Sequence, residues 1–257
     1  MRNIFTVLGV IALCAIFLTG AGIREPANPV TLNVFAAASL TEALNEIDAL
    51  YKKAAPNVTL SFNFNSSGTL QTQIENGAEA DLFLSAGQRQ MNALAGKYID
   101  DSTRKDLLVN SVVLIVPKGS TKDISSFEDC LTPKVSLMSL GNSDVPVGQY
   151  SEEIFKFLNG WDIVRAKASL GTNVKEVLSQ VESGSVDCGV VYSTDAATSN
   201  GVTVAADAPA GSHQPVVYPA AVVKDSPNAQ AAKAFLDYLS SPSAVAVFDK
   251  IGFTVIK

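Results

Sequence analysis

The chain has 257 residues, with 19 basic against 25 acidic side chains, a net charge of −6 and a mean hydropathy of +0.22. That balance argues against nucleic acid or an anionic membrane surface as partner, and any bound anion must be held by local dipoles against the overall field. One histidine (His213, in a polar stretch) and three cysteines form no cluster with metal-ligand spacing, so neither a resident metal nor a cofactor is expected.

Arg2 and the amino terminus give a weakly positive start, residues 4–17 are apolar and uncharged, and Thr19, Gly20 and Ala21 make a small-residue cleavage signal. The apolar run of about 15 residues is short for a bilayer span. Residues 1–21 therefore read as a signal peptide, and the protein as exported, periplasmic or at the cell surface. The segment LTGAG at 18–22 is similar to a bacterial lipoprotein box, but Ala21 stands where the lipid-bearing cysteine is required, and Leu13 before Cys14 is too large for that signal. No lipid anchor is expected from the sequence as it stands. About 235 residues remain, enough for one large or two small domains.

Strands are expected at 31–36, 58–64, 81–85, 110–117, 135–140, 187–192, 202–206 and 215–223, and helices at 40–54, 69–76, 87–96, 148–158, 174–183, 227–240 and 242–249. This alternation implies an α/β architecture with largely parallel sheets. The apolar strands at 112–117 and 216–223 are far apart in sequence and each is followed by a charged turn. They could be two crossings between lobes, with the C-terminal helices returning to the first lobe. A cleft between two such lobes sets strand ends and helix starts opposite one another.

The first two strand-to-helix junctions carry the chemistry. FAAASL at 35–40 and SSGTL at 66–70 each place a small hydroxyl residue where a strand gives way to a helix. A helix start has backbone N–H groups without intrahelical partners and the positive end of the macrodipole. Two such starts facing one space make an anion site that needs no lysine or arginine. Ser39 with Glu42 also fits a capping box, in which case the serine is only a cap. Asn173 with Glu176 is a further capping pair, which puts the N–H of Val174 in a helix's first turn. Val147 precedes Gly148 at another helix start. A secreted hydrolase using Ser39 or Ser67 fares badly: no Gly-x-Ser-x-Gly elbow is present and His213 is the only candidate base.

Cys130 and Cys188 both fall just before expected strands. If those strands are parallel neighbours, both lie at one end of a sheet, opposite the helix starts. Export permits a disulfide between them, and a bridge and two buried thiols are both open.

FAAASLT at 35–41, NSSGTL at 65–70 with QIENGAEADLF at 73–83, VPVGQY at 145–150, NV at 173–174, GVVYSTDA at 189–196 and GFT at 252–254 resemble, in order and over the whole mature chain, the molybdate-binding proteins of bacterial molybdate ABC importers. The resemblance implies a two-lobed periplasmic-binding-protein fold of the two-crossing type (type II), with the ligand in the interlobe cleft. Lobe 1 would comprise 28–111 plus 217–257, and lobe 2 would comprise 112–216. It implies capture of molybdate, and by its near-equal size tungstate, without enzymatic activity. Molybdenum would enter only as the bound oxyanion. Ser39, Ser67, Val147, Val174 and Tyr192 would be the ligand contacts: hydroxyl and N–H donors from the serines, N–H alone from the valines, the phenol from Tyr192. A membrane ABC permease is the implied partner, and a monomer is expected. A tungstate- or sulfate-selective carrier, or an oxyanion sensor, are the alternatives. The family often has a third serine where this chain has Gly68, a difference expected to change loop flexibility.

Overall fold

A computed structural model describes residues 28–256. The expected signal peptide, the lipoprotein-box-like segment and Cys14 lie outside the described residues.

The chain begins with β1 (Val30–Ala37), α1 (Thr41–Ala54), β2 (Val58–Asn65), α2 (Ser67–Glu75), β3 (Leu82–Leu84) and α3 (Gln88–Leu94), followed by β4 (Lys105–Asn110). It continues through β5 (Val112–Pro117), β6 (Met138–Gly141), α4 (Pro146–Phe157), α5 (Trp161–Arg165), β7 (Ala168–Gly171), α6 (Val174–Glu182), β8 (Cys188–Tyr192), α7 (Ser193–Ala197) and β9 (Val202–Asp207). It closes with β10 (Val216–Val222), α8 (Ala229–Tyr238), α9 (Pro242–Ile251) and β11 (Thr254–Val255).

These strands form two sheets. The first has the order β11-β4-β10-β3-β1-β2 and the second β7-β6-β8-β5-β9. Strands β1, β2 and β3 run parallel, as do β6, β7 and β8. The two apolar strands read as crossings are antiparallel insertions: β10 lies between β3 and β4, and β5 between β8 and β9. The sheets are thus mixed rather than largely parallel, because each strand that starts after a crossing enters against its neighbours.

Both faces of the central strands are covered, so they read as continuous apolar runs. In the first lobe Leu32, Val34 and Ala36 pack under Ala43, Leu44 and Ile47 of α1, all fully buried. Tyr51 at the far end of α1 meets the rings of Phe235 and Tyr238 on α8, at 4.8 and 4.9 Å between centroids. In the second lobe Leu114, Leu140 and Val190 lie beneath Ile154 and Phe155 of α4 and Val177 and Val181 of α6. A side chain of this size, fully buried, contributes about 1.5–3 kcal/mol.

The strand expected over 110–117 is two strands broken at Ser111. The Asn110 carboxamide accepts from the Ser111 N–H (2.8 Å) and from Ser193 Oγ (3.0 Å), and donates to Thr194 Oγ1 (2.8 Å) and Tyr218 Oη (3.3 Å). An asparagine that bonds its neighbouring backbone competes with the sheet ladder. Here it turns the chain from one sheet to the other, and ties together β4, β10 and the start of α7. The short elements β7, α5, α7 and β11 have no counterpart among the expected ones. At two to five residues each, they are too brief to show a period.

Candidate functional site

The C-terminal ends of β1, β2 and β8 and the N-terminal turns of α2, α4 and α6 converge on a small cavity between the sheets. Ser39, Ser67, Val174 and Tyr192 line it, together with Ser66, Ala86 and Pro146, and no charged side chain does. Val147 does not line it through its side chain, which is fully buried. It is the second residue of α4, directly behind Pro146. Its N–H and that of Val174, the first residue of α6, lie in helical first turns, where no carbonyl four residues back is available.

Ser39 is not a helix cap. It sits in a 3-10 turn at 38–40 ahead of α1, whose N-cap is Leu40 without a side-chain bond. Its Oγ instead lies 2.9 Å from Tyr218 Oη. Glu42, the other half of the expected capping box, points away to Lys175. The box fails because one extra turn of 3-10 helix moves the start of α1 past the serine. In the second junction the cap is Ser66, whose Oγ accepts from the Thr69 N–H at 3.1 Å. That leaves Ser67 free for another role. The Asn173 cap is as expected: its side chain accepts from the Glu176 N–H. The Glu176 carboxylate returns to the N–H and hydroxyl of Thr172 rather than to Asn173.

The partners of the two serines determine where their protons point. Ser67 Oγ accepts from the Ala86 N–H at 2.9 Å, so its own hydrogen is free to donate. Tyr218 Oη accepts from the Asn110 carboxamide and shares a hydrogen bond with Ser39 Oγ in which either hydroxyl can donate. When Tyr218 is the donor, the Ser39 hydrogen is free as well. Tyr192 Oη makes one long contact, 3.4 Å, to the Ala86 carbonyl, too weak to compete with an anionic acceptor. Burial first, and the neighbouring Tyr218 and Tyr150 next, push the Tyr192 phenol well above its ordinary range. Burial does the same to Tyr218. Both therefore stay protonated, and no carboxylate lines the cavity.

Gly68 is not in a flexible loop. It is the second residue of α2, and its N–H donates to the Asp144 carbonyl on the opposite lobe at 3.0 Å. A Cβ there would stand 2.4 Å from that oxygen. The glycine is a point of close approach.

Charges stand behind the cavity. Lys175, next to Val174, has its Nζ 2.8 Å from Glu42 Oε2 and 3.0 Å from Asp195 Oδ1. Asp195 is fully buried with no hydrogen bond aligned on either oxygen, so this is an ion pair rather than a directed bond. Burial raises the Asp195 carboxyl to about 6, and Lys175 only partly offsets it. Burial pulls Lys175 down, but the Asp195 and Glu42 carboxylates outweigh it and its pKa ends raised.

Cys130 lies in a 3-10 turn at 128–131 and Cys188 opens β8 beside Met138 of its parallel neighbour β6, both buried, with sulfurs 3.9 Å apart as free thiols. Cys188 is at the end of β8 opposite Tyr192, away from the cavity. His213 bonds the Gln214 carbonyl and packs against Tyr150; neither serine has it as a partner. Among the described residues no group of acidic, histidine or cysteine side chains could hold a metal ion. None of their helices is long and apolar enough to cross a membrane.

Tyr218, Ala86 and Asn110 were not expected at the site. Tyr218 lies in an apolar strand and reads as core, and a backbone N–H such as that of Ala86 leaves no mark on composition.

The family described as bacterial extracellular solute-binding protein matches residues 32–254. The molybdate-binding protein ModA of Escherichia coli is 42% identical over 232 residues, covering 87% of this chain and 89% of its own. The ModA of Haemophilus influenzae is 40% identical over 245 residues, covering 93% and 96%. The periplasmic molybdate-binding protein of Azotobacter vinelandii superposes with a TM-score of 0.78 at 20% identity, over 88% of this chain and 100% of that one. At that identity the likeness concerns the fold, which is two-lobed α/β. With donors gathered between two lobes and a match running almost from β1 to the last strand, the chain belongs to the bacterial extracellular solute-binding proteins.

Proposed function

We propose that the protein captures molybdate, and tungstate besides, outside the cytoplasm and delivers it to a membrane ABC permease. The observation that carries this reading is the wiring of Ser39 and Ser67. Ser67 has its oxygen engaged by the Ala86 N–H and its hydrogen left for the cavity, and Ser39, with Tyr218 as the donor of their shared bond, offers its hydrogen in the same way. With the Tyr192 phenol and the N–H groups of Val147 and Val174, they form a set of neutral donors. Molybdate is a dianion near neutral pH and brings acceptors only. Phosphate at that pH carries a proton that needs an acceptor, and the cavity lining has no carboxylate to supply one. A hydrogen bond to an ion contributes about 1.5–3 kcal/mol, and a donor left unpaired in a closed site is costly. Sulfate, with shorter bonds, reaches fewer of the donors. Residues 28–111 and 217–257 form lobe 1 and residues 112–216 lobe 2. The ligand bridges them and favours the closed arrangement that docks on the permease. The protein acts as a monomer, exported by residues 1–21 and then released from them.

Calorimetry with molybdate, tungstate, sulfate and phosphate at neutral pH tests the reading. Micromolar or tighter binding is expected for the first two and far weaker binding for phosphate. Equal affinity for phosphate and molybdate would overturn it.

A further inference from the structure

We infer that Lys175 is an interlobe latch: its ammonium ties Glu42 on the first lobe to Asp195 on the second, and so holds the cleft closed over its ligand. Glu42 lies in the first turn of α1, Lys175 in the first turn of α6 and Asp195 in α7. The bond from Lys175 to Glu42 spans 133 residues of sequence and uses both carboxylate oxygens, at 2.9 and 2.8 Å.

Two features of the sequence require an explanation that local structure does not give. A lysine in the first turn of a helix opposes the macrodipole, which favours acids there. An aspartate that is fully buried with no aligned hydrogen bond is costly unless a cation neutralises it. The two solve each other within the second lobe: Asp195 fixes Lys175 in place, its side chain three-quarters buried and its ammonium reaching across the cleft. Glu42 then meets a cation already positioned, so little side-chain entropy is lost on closure. When the lobes part, the Lys175–Asp195 pair stays together and only the Glu42 contact breaks. The latch also compensates the acid of α1, which stands three residues from Ser39 and would otherwise repel an entering dianion.

The inference rests on the proposed function only for its ligand, and Glu42→Gln tests it. Glu42 is half-exposed and makes no other ion pair, so the variant should fold normally. Two readouts are used. Molybdate dissociation should speed up about fivefold, the upper end for a partly exposed pair, with association nearly unchanged. Nitroxides at Lys53→Cys and Arg165→Cys, one exposed position on each lobe, should show a longer mean separation in the ligand-free variant than in its parent. In a Lys175→Met/Asp195→Asn background, which removes the buried pair together, Glu42→Gln should neither speed dissociation nor lengthen the label separation. Unaltered dissociation and unaltered label distances, or the same effect without Lys175, would overturn the latch. A parent protein that binds no molybdate would instead refute the proposed function, and the label distances alone would decide the latch.

Discussion

At the scale of single residues, the serines differ from caps by what their oxygens accept. Ser67 Oγ takes its hydrogen bond from the Ala86 N–H and keeps its own proton, and Ser39 Oγ is bonded to the Tyr218 hydroxyl, which can donate to it in the same way. Ser39→Ala and Ser67→Ala are each expected to weaken molybdate binding by about 1.5–3 kcal/mol, the value of one donor to an ion. Neither serine caps a helix, but Ser67→Ala leaves the buried Ala86 N–H without its acceptor, so a stability cost of about 1–3 kcal/mol should accompany it. Ser66→Ala is the control, since it does lose a cap bond. Titration and thermal melts of the three variants separate the roles. Unchanged affinity in both Ser39→Ala and Ser67→Ala would remove these hydroxyls from the site.

At the scale of elements, the first turn of α2 shows how a helix start can serve the ligand and the lobe contact together. Gly68 has ordinary helical geometry, so alanine there costs the isolated lobe nothing and adds up to about 1 kcal/mol of helix propensity. In the closed form, however, the added Cβ would stand 2.4 Å from the Asp144 oxygen and 2.9 Å from its Cα, backbone atoms that cannot swing aside. Gly68→Ala should therefore leave the melting temperature of the free protein equal or higher while lowering molybdate affinity about tenfold or more, at least 1.4 kcal/mol. Tight binding in that variant would show that the lobes close along another path. The same turn illustrates what the sequence hides. SSGTL announces a helix start, but which of its two serines caps and which faces the ligand follows from where Ala86 lies.

At the scale of the molecule, the second lobe holds a pair of sulfurs that the ligand never meets. The hydrogen bond to the adjacent Cys130 thiol first, and burial next, push the Cys188 thiol upward. A bridge between the two is expected in the oxidising setting of the exported state. It would close a loop of 58 residues, for which the chain-entropy model gives about 4 kcal/mol. Protein recovered from the exported fraction is expected to melt lower after reduction, with molybdate affinity nearly unchanged, because Cys188 opens β8 and Tyr192 ends it. Two free thiols in that fraction by mass spectrometry would refute the bridge. Affinity lost on reduction would refute its purely structural role.

By itself the sequence determined the alternation of strands and helices, because apolar period and turn chemistry are local properties of the chain. The helix starts at Ser66 and Asn173, and with them a supply of unpaired N–H groups, follow from that alternation and from capping residues, whereas α4 begins two residues before the expected 148, at Pro146 behind an uncapped Val145. The tertiary structure alone decided three matters. It set β5 and β10 antiparallel between parallel neighbours, since pairing partners distant in the chain leave no local trace. It bonded Ser39 to a tyrosine 179 residues away rather than to a helix start, a tyrosine that the sequence shows only as part of an apolar strand. And it brought Glu42, Lys175 and Asp195 together from three helices, where the field of each charge depends on distances that no spacing along the chain encodes.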